Sequence, residues 1–502
     1  MKLFDHIIRL VGVCAIALCG YMLFYKLGEG YLISTDEAYH ATNAYEMLKQ
    51  ENWIVNSYRY AADYFNSKPP LCLDIMVLSY KLLGINSFAA RFPSALGGLL
   101  TILLISVFLY KKVSGYSAAI FSLLFITVTE FFTFHMYRAA EMDSIFNLFF
   151  SICMIALFMM REKPAYMYLY GLSLGLAFLC KGPHAALIFL IGLLYIPQIK
   201  AAFLSIKRVL ISVFLACAIP LIWAVMRFSY DGTELFKALF VGEVYDRISE
   251  SDASFILPIK DLASSKIFMV FIITLLLVIV LGVISLALEK GRNSSVISEI
   301  KTKSGRFFRE NYLFILWVAV PVLFFSFTRS FLSWYTYSSK IALCILTANL
   351  FGSLIENAAA KKAFVAYTAL TVITAICLFN IIPCIRSTIN QAGQGGHPVD
   401  KLSADLLDFE NTYKDQFSGT NAYLISDFRQ HSEQGHWEPE YVAPAEMYCD
   451  LIPVDGGVDS FLNDPDSILI LDKNLWDDYS DVLTGHVILL DDSYLVFSSD
   501  MY

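Results

Sequence analysis

Two charged clusters break a chain that otherwise avoids charge. Ser34-Thr35-Asp36-Glu37 follows the first long apolar segment, and Ser67-Lys68-Pro69-Pro70 comes about thirty residues later. Charge at the edge of an apolar segment is costly to place and reads first as functional. A carboxylate there can take a proton from a hydroxyl or orient it, and an ammonium can hold phosphate oxygens. Further groups stand at the ends of apolar segments: Arg138, Glu141, Asp143, Lys181, Arg247, Arg329 and the phenol of Tyr335. Several cations and a few carboxylates on one face suit an anionic lipid head group, with guanidinium forks and ammonium groups on the phosphate. Each group also has a local explanation. Ser34 and Glu37 match the Ser-x-x-Glu capping box, and Asp36 would suit a first helical turn. Lys68-Pro69-Pro70 reads equally as a turn into a helix, and Lys181-Gly182-Pro183 as a turn between two spans. Arg138 could pair with Asp143, and Arg247 and Arg329 with ordinary lipid phosphate.

The elements that must position these groups are mostly membrane helices. Of the 502 residues 57% are hydrophobic and 16% charged, and mean hydropathy is +0.58, which excludes an ordinary soluble globule. The length leaves room for about eleven spans of roughly twenty residues each. Residues 7–29 form the first, uncleaved span. Further apolar segments fall near 92–110, 116–135, 144–160, 165–180, 183–198, 209–229, 266–288, 311–328, 335–355 and 363–384. With the N-terminus inside, the basic clusters Lys111-Lys112, Arg161 with Lys163, Lys200 with Lys207-Arg208, Lys290 through Arg309 and Lys361-Lys362 all land on the inner side, as the positive-inside rule requires. The outer side then receives 30–91, 136–143, 181–182, 230–265, 329–334 and the tail.

This predicts an all-α polytopic domain over 1–385, with its active site in the first outer loop, 30–91. Ala38, Ala41, Tyr45 and Leu48 recur at helical spacing, so 37–49 should be an amphipathic helix on the membrane surface, and Leu71–Leu83 a second one. A small extracytoplasmic α/β domain should occupy 386–502, after a linker marked by Gly393, Gly395, Gly396 and Pro398. Its apolar runs are Ala422–Ser426, Ser467–Leu471 and Val487–Phe497. His431 and His436 read as surface residues. The formal charge of −8 reflects the Asp-rich tail, and no basic tract with interleaved aromatics points to nucleic acid. The ten cysteines form no CxxC pair and read as small apolar core residues.

The same residues resemble the C-type membrane glycosyltransferases, in the branch of lipid A aminoarabinose transferases and protein mannosyltransferases. The ordered match runs from residue 1 to about 355: Asp36-Glu37, Trp53-Ile54-Val55, Tyr64-Phe65…Lys68-Pro69-Pro70-Leu71, Ala90-Arg91-Phe92-Pro93-Ser94-Ala95, Asp143, Lys181-Gly182-Pro183 and Phe325-Ser326…Tyr335. The resemblance implies inverting transfer of a sugar from a polyprenyl-phosphate donor to a glycolipid, glycan or protein acceptor. It places the active site on the periplasmic side of a bacterial inner membrane. It puts the catalytic aspartate on Asp36 and donor-phosphate ligands on Lys68, Arg247 and Tyr335, with Asp143 as the short-loop aspartate. Glu37, Arg138, Lys181 and Arg329 join them as substrate-binding candidates. Tyr39 stands where the aminoarabinose transferases carry Arg, Ser67 where they often carry a Glu suited to metal, and Phe331 and Ser338 also depart from them. No cofactor is implied firmly, and a divalent metal is left open. A lipid-head-group transporter is the alternative; it predicts ionisable groups at mid-membrane, and no internal repeat supports it. A binding protein without catalysis is a third reading.

Overall fold

The computed structural model describes residues 2–32, 34–133, 135–241, 255–288, 295–328, 331–361, 363–391, 397–428 and 434–501. The first apolar segment is α1 (Lys2–Phe24). The loop beyond it folds as α2 (Thr35–Lys49), a hairpin of β1 (Ser57–Tyr58) and β2 (Ala61–Ala62), and α3 (Leu71–Leu83). Then come α4 (Ser87–Lys112), α5 (Gly115–Phe125), α6 (Glu130–Thr133), α7 (Met142–Met159), α8 (Tyr166–Lys181), α9 (Ala186–Tyr195) and α10 (Ile206–Asp231). After them lie α11 (Leu257–Ser264), α12 (Lys266–Leu288), α13 (Ser295–Ser326), α14 (Tyr337–Lys361) and α15 (Ala363–Gln391). Side-chain caps fix several starts: Asn86, Ser114 and Ser205 accept from the backbone N–H three residues on, at the heads of α4, α5 and α10, as polar N-cap residues do.

Among the described residues, seven helical stretches are long and apolar enough to cross a membrane, or eight if the bent pair α11–α12 is one span. The chain is therefore an integral membrane protein. The expected span 116–135 is instead broken into α5 and the single turn α6. The stretch Tyr166–Gln198 is continuous in length, at 33 residues, yet it folds back on itself. The Tyr170 hydroxyl donates to the Ile188 carbonyl at 3.2 Å, which a straight helix rising 1.5 Å per residue forbids. The reversal falls at Gly182, whose φ of +54° suits glycine. Gly171 and Gly175 let α8 lie against α10: a Cβ on either would meet the Ser212 or Ala216 carbonyl oxygen at 2.3 or 2.5 Å. This is the small-xxx-small packing of membrane helices.

Helix α2 departs from the expected surface helix. Ala38, Ala41 and Tyr45 are buried, but so are His40, Asn43 and Glu46. One side packs on α3 and the other on a helix of the C-terminal segment, Pro439–Cys449. The buried polar side chains find partners in the hairpin; Asn43 Nδ2 donates to the Ser57 carbonyl at 2.6 Å and to Asp63 Oδ2 at 3.1 Å.

The C-terminal segment holds α16 (Pro398–Tyr413), α17 (Pro439–Cys449), α18 (Gly457–Phe461), α19 (Trp476–Leu483) and a five-stranded sheet. Its strands are β3 (Asn421–Ile425), β4 (Ile452–Pro453), β5 (Ile468–Asp472), β6 (His486–Asp491) and β7 (Tyr494–Met501). Their order is β4-β3-β5-β7-β6, with β3 parallel to β4 and β5, and β7 antiparallel to β5 and β6. Alternation along β3 sends Ala422 and Leu424 into one apolar cluster and Tyr423 and Ile425 into another, the period of two of a strand covered on both faces. The run Val487–Phe497 is thus two strands of a hairpin. Gly393, Gly395, Gly396 and His431 lie outside the described residues. His436 is more than half exposed and lies 3.5 Å from Asp455. Eight of the ten cysteines are buried, and all are free.

Candidate active site

Asp36 and Glu37 are neighbours with opposite circumstances. The Glu37 carboxylate is buried and takes Arg91 Nε at 2.7 Å, Arg91 Nη2 at 3.0 Å and the Ala140 N–H at 3.0 Å. Arg91 also donates to the carbonyls of Leu27, Glu29, Gly30 and Tyr31. A bidentate buried pair with every donor used is a fastening: it ties α1, α2, α4 and the loop before α7 together. Ser34 makes no side-chain cap, so the expected capping box is absent and Glu37 owes its position to Arg91. Asp36, one residue back, is half exposed.

Facing Asp36 is His135, with Nε2 at 3.6 Å from Asp36 Oδ2 and Nδ1 at 3.2 Å from Glu141 Oε1. Glu141 Oε2 in turn lies 3.5 Å from His40 Nδ1. His135 has a left-handed backbone (φ +51°), costly for a residue with a Cβ, and its ring stacks on Trp334 at 3.8 Å with 2° between planes. The loop is held on α4 by Ser94, whose Oγ donates to the Glu141 carbonyl at 2.9 Å. Burial pulls the His135 pKa down, but Glu141 and Asp36 more than offset this and leave it raised. Burial pushes Glu141 up to about 7 against the pull of His135. Burial, then the charge of Lys68, takes His40 down to about 3. One ligand atom each from Asp36, His135 and Glu141 lie within 4.8 Å of one another, an oxygen–nitrogen–oxygen set of the kind divalent cations accept.

The second half of the site adjoins the first through consecutive residues. Asp143 opens α7 and Lys181 closes α8, the ends their charges favour, and Lys181 Nζ lies 2.5 Å from Asp143 Oδ1 with both side chains buried. Lys181 also sits 5.4 Å from the ring centre of Tyr335, which stacks on Phe325 at 4.6 Å. Trp334, beside Tyr335 in sequence, is the residue that stacks on His135. Lys68 Nζ donates to Asn66 Oδ1 at 3.3 Å, and its carbonyl accepts from Asn56 Nδ2 at 2.8 Å. Lys68 and Lys181 both lower the proton affinity of His40, whose Nδ1 lies 3.5 Å from Glu141 Oε2.

The fold thus gathers Asp36, Lys68, Asp143, Lys181 and Tyr335 around one polar centre. Two of the candidates have partners in the scaffold: Glu37 in Arg91, and Arg138 through bonds from Nη1 to the Met22 and Leu23 carbonyls at 2.6 and 3.1 Å, which cap the end of α1. The Arg138–Asp143 pairing is replaced by Lys181–Asp143. Burial, then Arg91, takes the Arg138 pKa down to about 10. Arg247 and Arg329 lie outside the described residues. Sequence reasoning missed His40 and His135. The only signal for His135 is an imidazole at the last position of an apolar run.

Apolar spans closing on a cluster of carboxylates, imidazoles and ammonium groups define a membrane protein with a polar site at its helix ends. The family described as dolichyl-phosphate-mannose-protein mannosyltransferase matches residues 67–223. Undecaprenyl phosphate-alpha-4-amino-4-deoxy-L-arabinose arabinosyl transferases from Photorhabdus laumondii and Edwardsiella ictaluri are 28% and 27% identical over 64% and 65% of this chain. The matches span 56% and 57% of those proteins, a little over half their length. The crystal structure of ArnT from Cupriavidus metallidurans bound to undecaprenyl phosphate shares the fold, with a TM-score of 0.64 at 16% identity over 97% of this chain and 98% of that one. The archaeal oligosaccharyltransferase AglB from Archaeoglobus fulgidus, in complex with an inhibitory peptide and a dolichol-phosphate, follows at 0.51 and 11% identity, over 94% and 71%. In sequence over part of its length, and in fold over nearly all of it, the chain is similar to these membrane transferases.

Proposed function

We propose that the protein transfers a sugar, with inversion, from a polyprenyl-phosphate donor to an envelope acceptor at the outer face of a bacterial inner membrane. The acceptor class is a glycolipid such as lipid A, a polysaccharide or a protein. The observation that carries this reading is the meeting of Asp36, Lys68, Asp143 and Lys181 at the ends of apolar helices, next to an apolar cavity. That cavity, about 590 Å³, lies among α8, α9 and α10 and includes Phe178, Pro183, Ala186, Phe189 and Pro220. Its lining includes Pro183, two residues beyond Lys181, and it suits a prenyl tail whose phosphate sits at the polar centre. The acceptor hydroxyl gives its proton to Asp36 as its oxygen bonds to the anomeric carbon. The bond from that carbon to the phosphate oxygen breaks, and polyprenyl phosphate leaves. Lys68, with Arg247 and Arg329, stabilises the charge on the leaving phosphate, and Tyr335 with Lys181 and Asp143 shapes the sugar side.

Eleven crossings follow if α8 and α9 count separately, the bent pair counts once, and the shorter apolar helices Gly115–Phe125 and Thr374–Asn390 also cross. An odd count with the N-terminus inside puts the C-terminal segment outside, as an extracytoplasmic domain over the site. Asp36, His135 and Glu141 are the residues that would hold a divalent cation, which would supply positive charge near the reacting oxygens. Elemental analysis of the purified protein and of His135→Ala tests this, and equal metal content in both would remove it. The activity itself is tested with a labelled polyprenyl-phosphate sugar and cell-envelope acceptors. Acceptor-dependent release of polyprenyl phosphate, lost in Asp36→Asn, is expected. Directional movement of the intact lipid without cleavage would instead make the protein a transporter.

A further inference from the structure

Helix α2 buries a second carboxylate on the flank away from the bundle. The Glu46 side chain is wholly buried and takes three donors: Ser57 Oγ at 2.6 Å, the Arg59 N–H at 2.5 Å and the Tyr60 N–H at 2.6 Å. Facing it from α17 is Glu446, also wholly buried and in side-chain contact with Glu46. Neither Glu446 oxygen receives a donor among the described residues. Two carboxyl groups in contact can bond only if one keeps its proton, because two bare carboxylates would repel. Glu46, with three donors, is the ionised member. Glu446 has nothing to offer Glu46 but its own proton.

The neighbouring charged groups are held by other pairings, and the buried Tyr58 hydroxyl has no hydrogen-bond partner among the described residues. Arg59 Nη1 reaches Asp455 at 2.8 Å and Nη2 the Pro453 carbonyl at 3.1 Å. Asp450 is held by Lys49 at 3.0 Å and by the Tyr45 hydroxyl at 2.5 Å. The phenols of Tyr58 and Tyr60 stand near Glu446, and Thr35 Oγ1 donates to Glu440 Oε1 at 2.6 Å. The last contact joins α17 to the turn that carries Asp36.

We propose that Glu446 is a positioning residue: by sharing a proton with Glu46 it latches the C-terminal segment onto α2, and the latch opens as pH rises. Its effect on turnover rests on the reading of Asp36 as the proton acceptor at the other end of α2. Burial raises the proton affinity of both carboxyls; Glu46 raises that of Glu446 further, whereas the bond from Glu446 lowers that of Glu46. A group whose folded pKa is raised contributes stability that is complete below its unfolded value and is lost as pH rises through the folded value. The latch is therefore closed in acid and opens on the alkaline side, by up to tenfold per pH unit beyond the folded value.

The test uses the full-length protein in nanodiscs, with hydrogen exchange of the α2 amides and donor turnover followed from about pH 6 to about pH 9, above the free carboxylate range. The wild type should lose both together as pH rises. Glu446→Gln should hold the α2 protection level, since its amide donates to Glu46 without a titrating proton, and should leave in turnover only the pH dependence set by His135 and Glu141 beside Asp36. Glu446→Ala should expose α2 at every pH. The same alkaline loss of protection in Glu446→Gln as in wild type would overturn the proposal, and so would a level wild-type profile. The exchange arm needs no substrate. If it behaves as stated while no variant turns over any donor, the reading of Asp36 fails and the latch stands.

Discussion

Asp36 and Glu37 are adjacent carboxylates, and neutralising each should register in a different measurement. Glu37→Gln removes the charge that compensates Arg91. The two side chains are 5% and 10% exposed, so solvent cannot replace the lost partner, and the Ala140 N–H loses a charged acceptor. Breaking a buried ion pair from one side costs about 3–5 kcal/mol; a glutamine that keeps one acceptor should fall near the lower end. The thermal midpoint in detergent and the yield of folded protein should both drop. Asp36→Asn is nearly isosteric at a half-exposed position whose ionic neighbour among the described residues is His135 Nε2 at 3.6 Å, so its stability should change by less than about 0.5 kcal/mol. Its turnover should fall roughly 10²–10⁴-fold, the usual contribution of a proton-transfer group, equivalent to about 3–5 kcal/mol in the barrier. The assay is release of polyprenyl phosphate per folded protein, beside a thermal unfolding curve for each variant. Glu37→Gln with a wild-type midpoint would show that Arg91 does not depend on it. Near-normal turnover by Asp36→Asn would remove Asp36 from the chemistry.

Lys68→Ala should weaken donor affinity about ten- to a hundredfold, the worth of a charge-assisted bond to phosphate, while Asp36→Asn binds donor nearly as well as wild type; unchanged affinity in Lys68→Ala would reduce the lysine to a turn residue. Gly175→Ala should destabilise the protein by about 1–3 kcal/mol, because the added methyl meets the Ala216 carbonyl oxygen at 2.5 Å; a wild-type unfolding curve would refute the close α8–α10 contact. Impermeant thiol reagents should reach a cysteine introduced at Gly395 and miss one at Ser304, and the reverse pattern would invert the proposed orientation of the site.

The apolar segments, the two helices α2 and α3 of the loop after the first span, and the ordered run from Asp36-Glu37 to Tyr335 were legible without coordinates; the hairpin between α2 and α3 was not. They depend on local patterns: hydropathy sets the spans, and helical spacing and prolines set the surface elements. Segments near the length threshold were not, because 116–135 carries a single carboxylate, Glu130, in a largely apolar run, and packing decides that its helix ends at Phe125. Burial of α2 was invisible for a related reason. Its second face is polar, and such a face reads as solvated until β1, β2 and α17 bring partners to Asn43 and Glu46. Pairing across long separations was likewise beyond the sequence. Arg91 sits in a motif that the family resemblance had already marked, but its choice of Glu37 depends on how α2 meets α4. His135 lies about a hundred residues from Asp36, and Glu446 four hundred from Glu46. Sequence determined which ionisable groups stand at the ends of the spans. Tertiary structure decided which of them are spent on holding the scaffold and which are left facing the site, because each buried charge must find its partner where the chain happens to bring one.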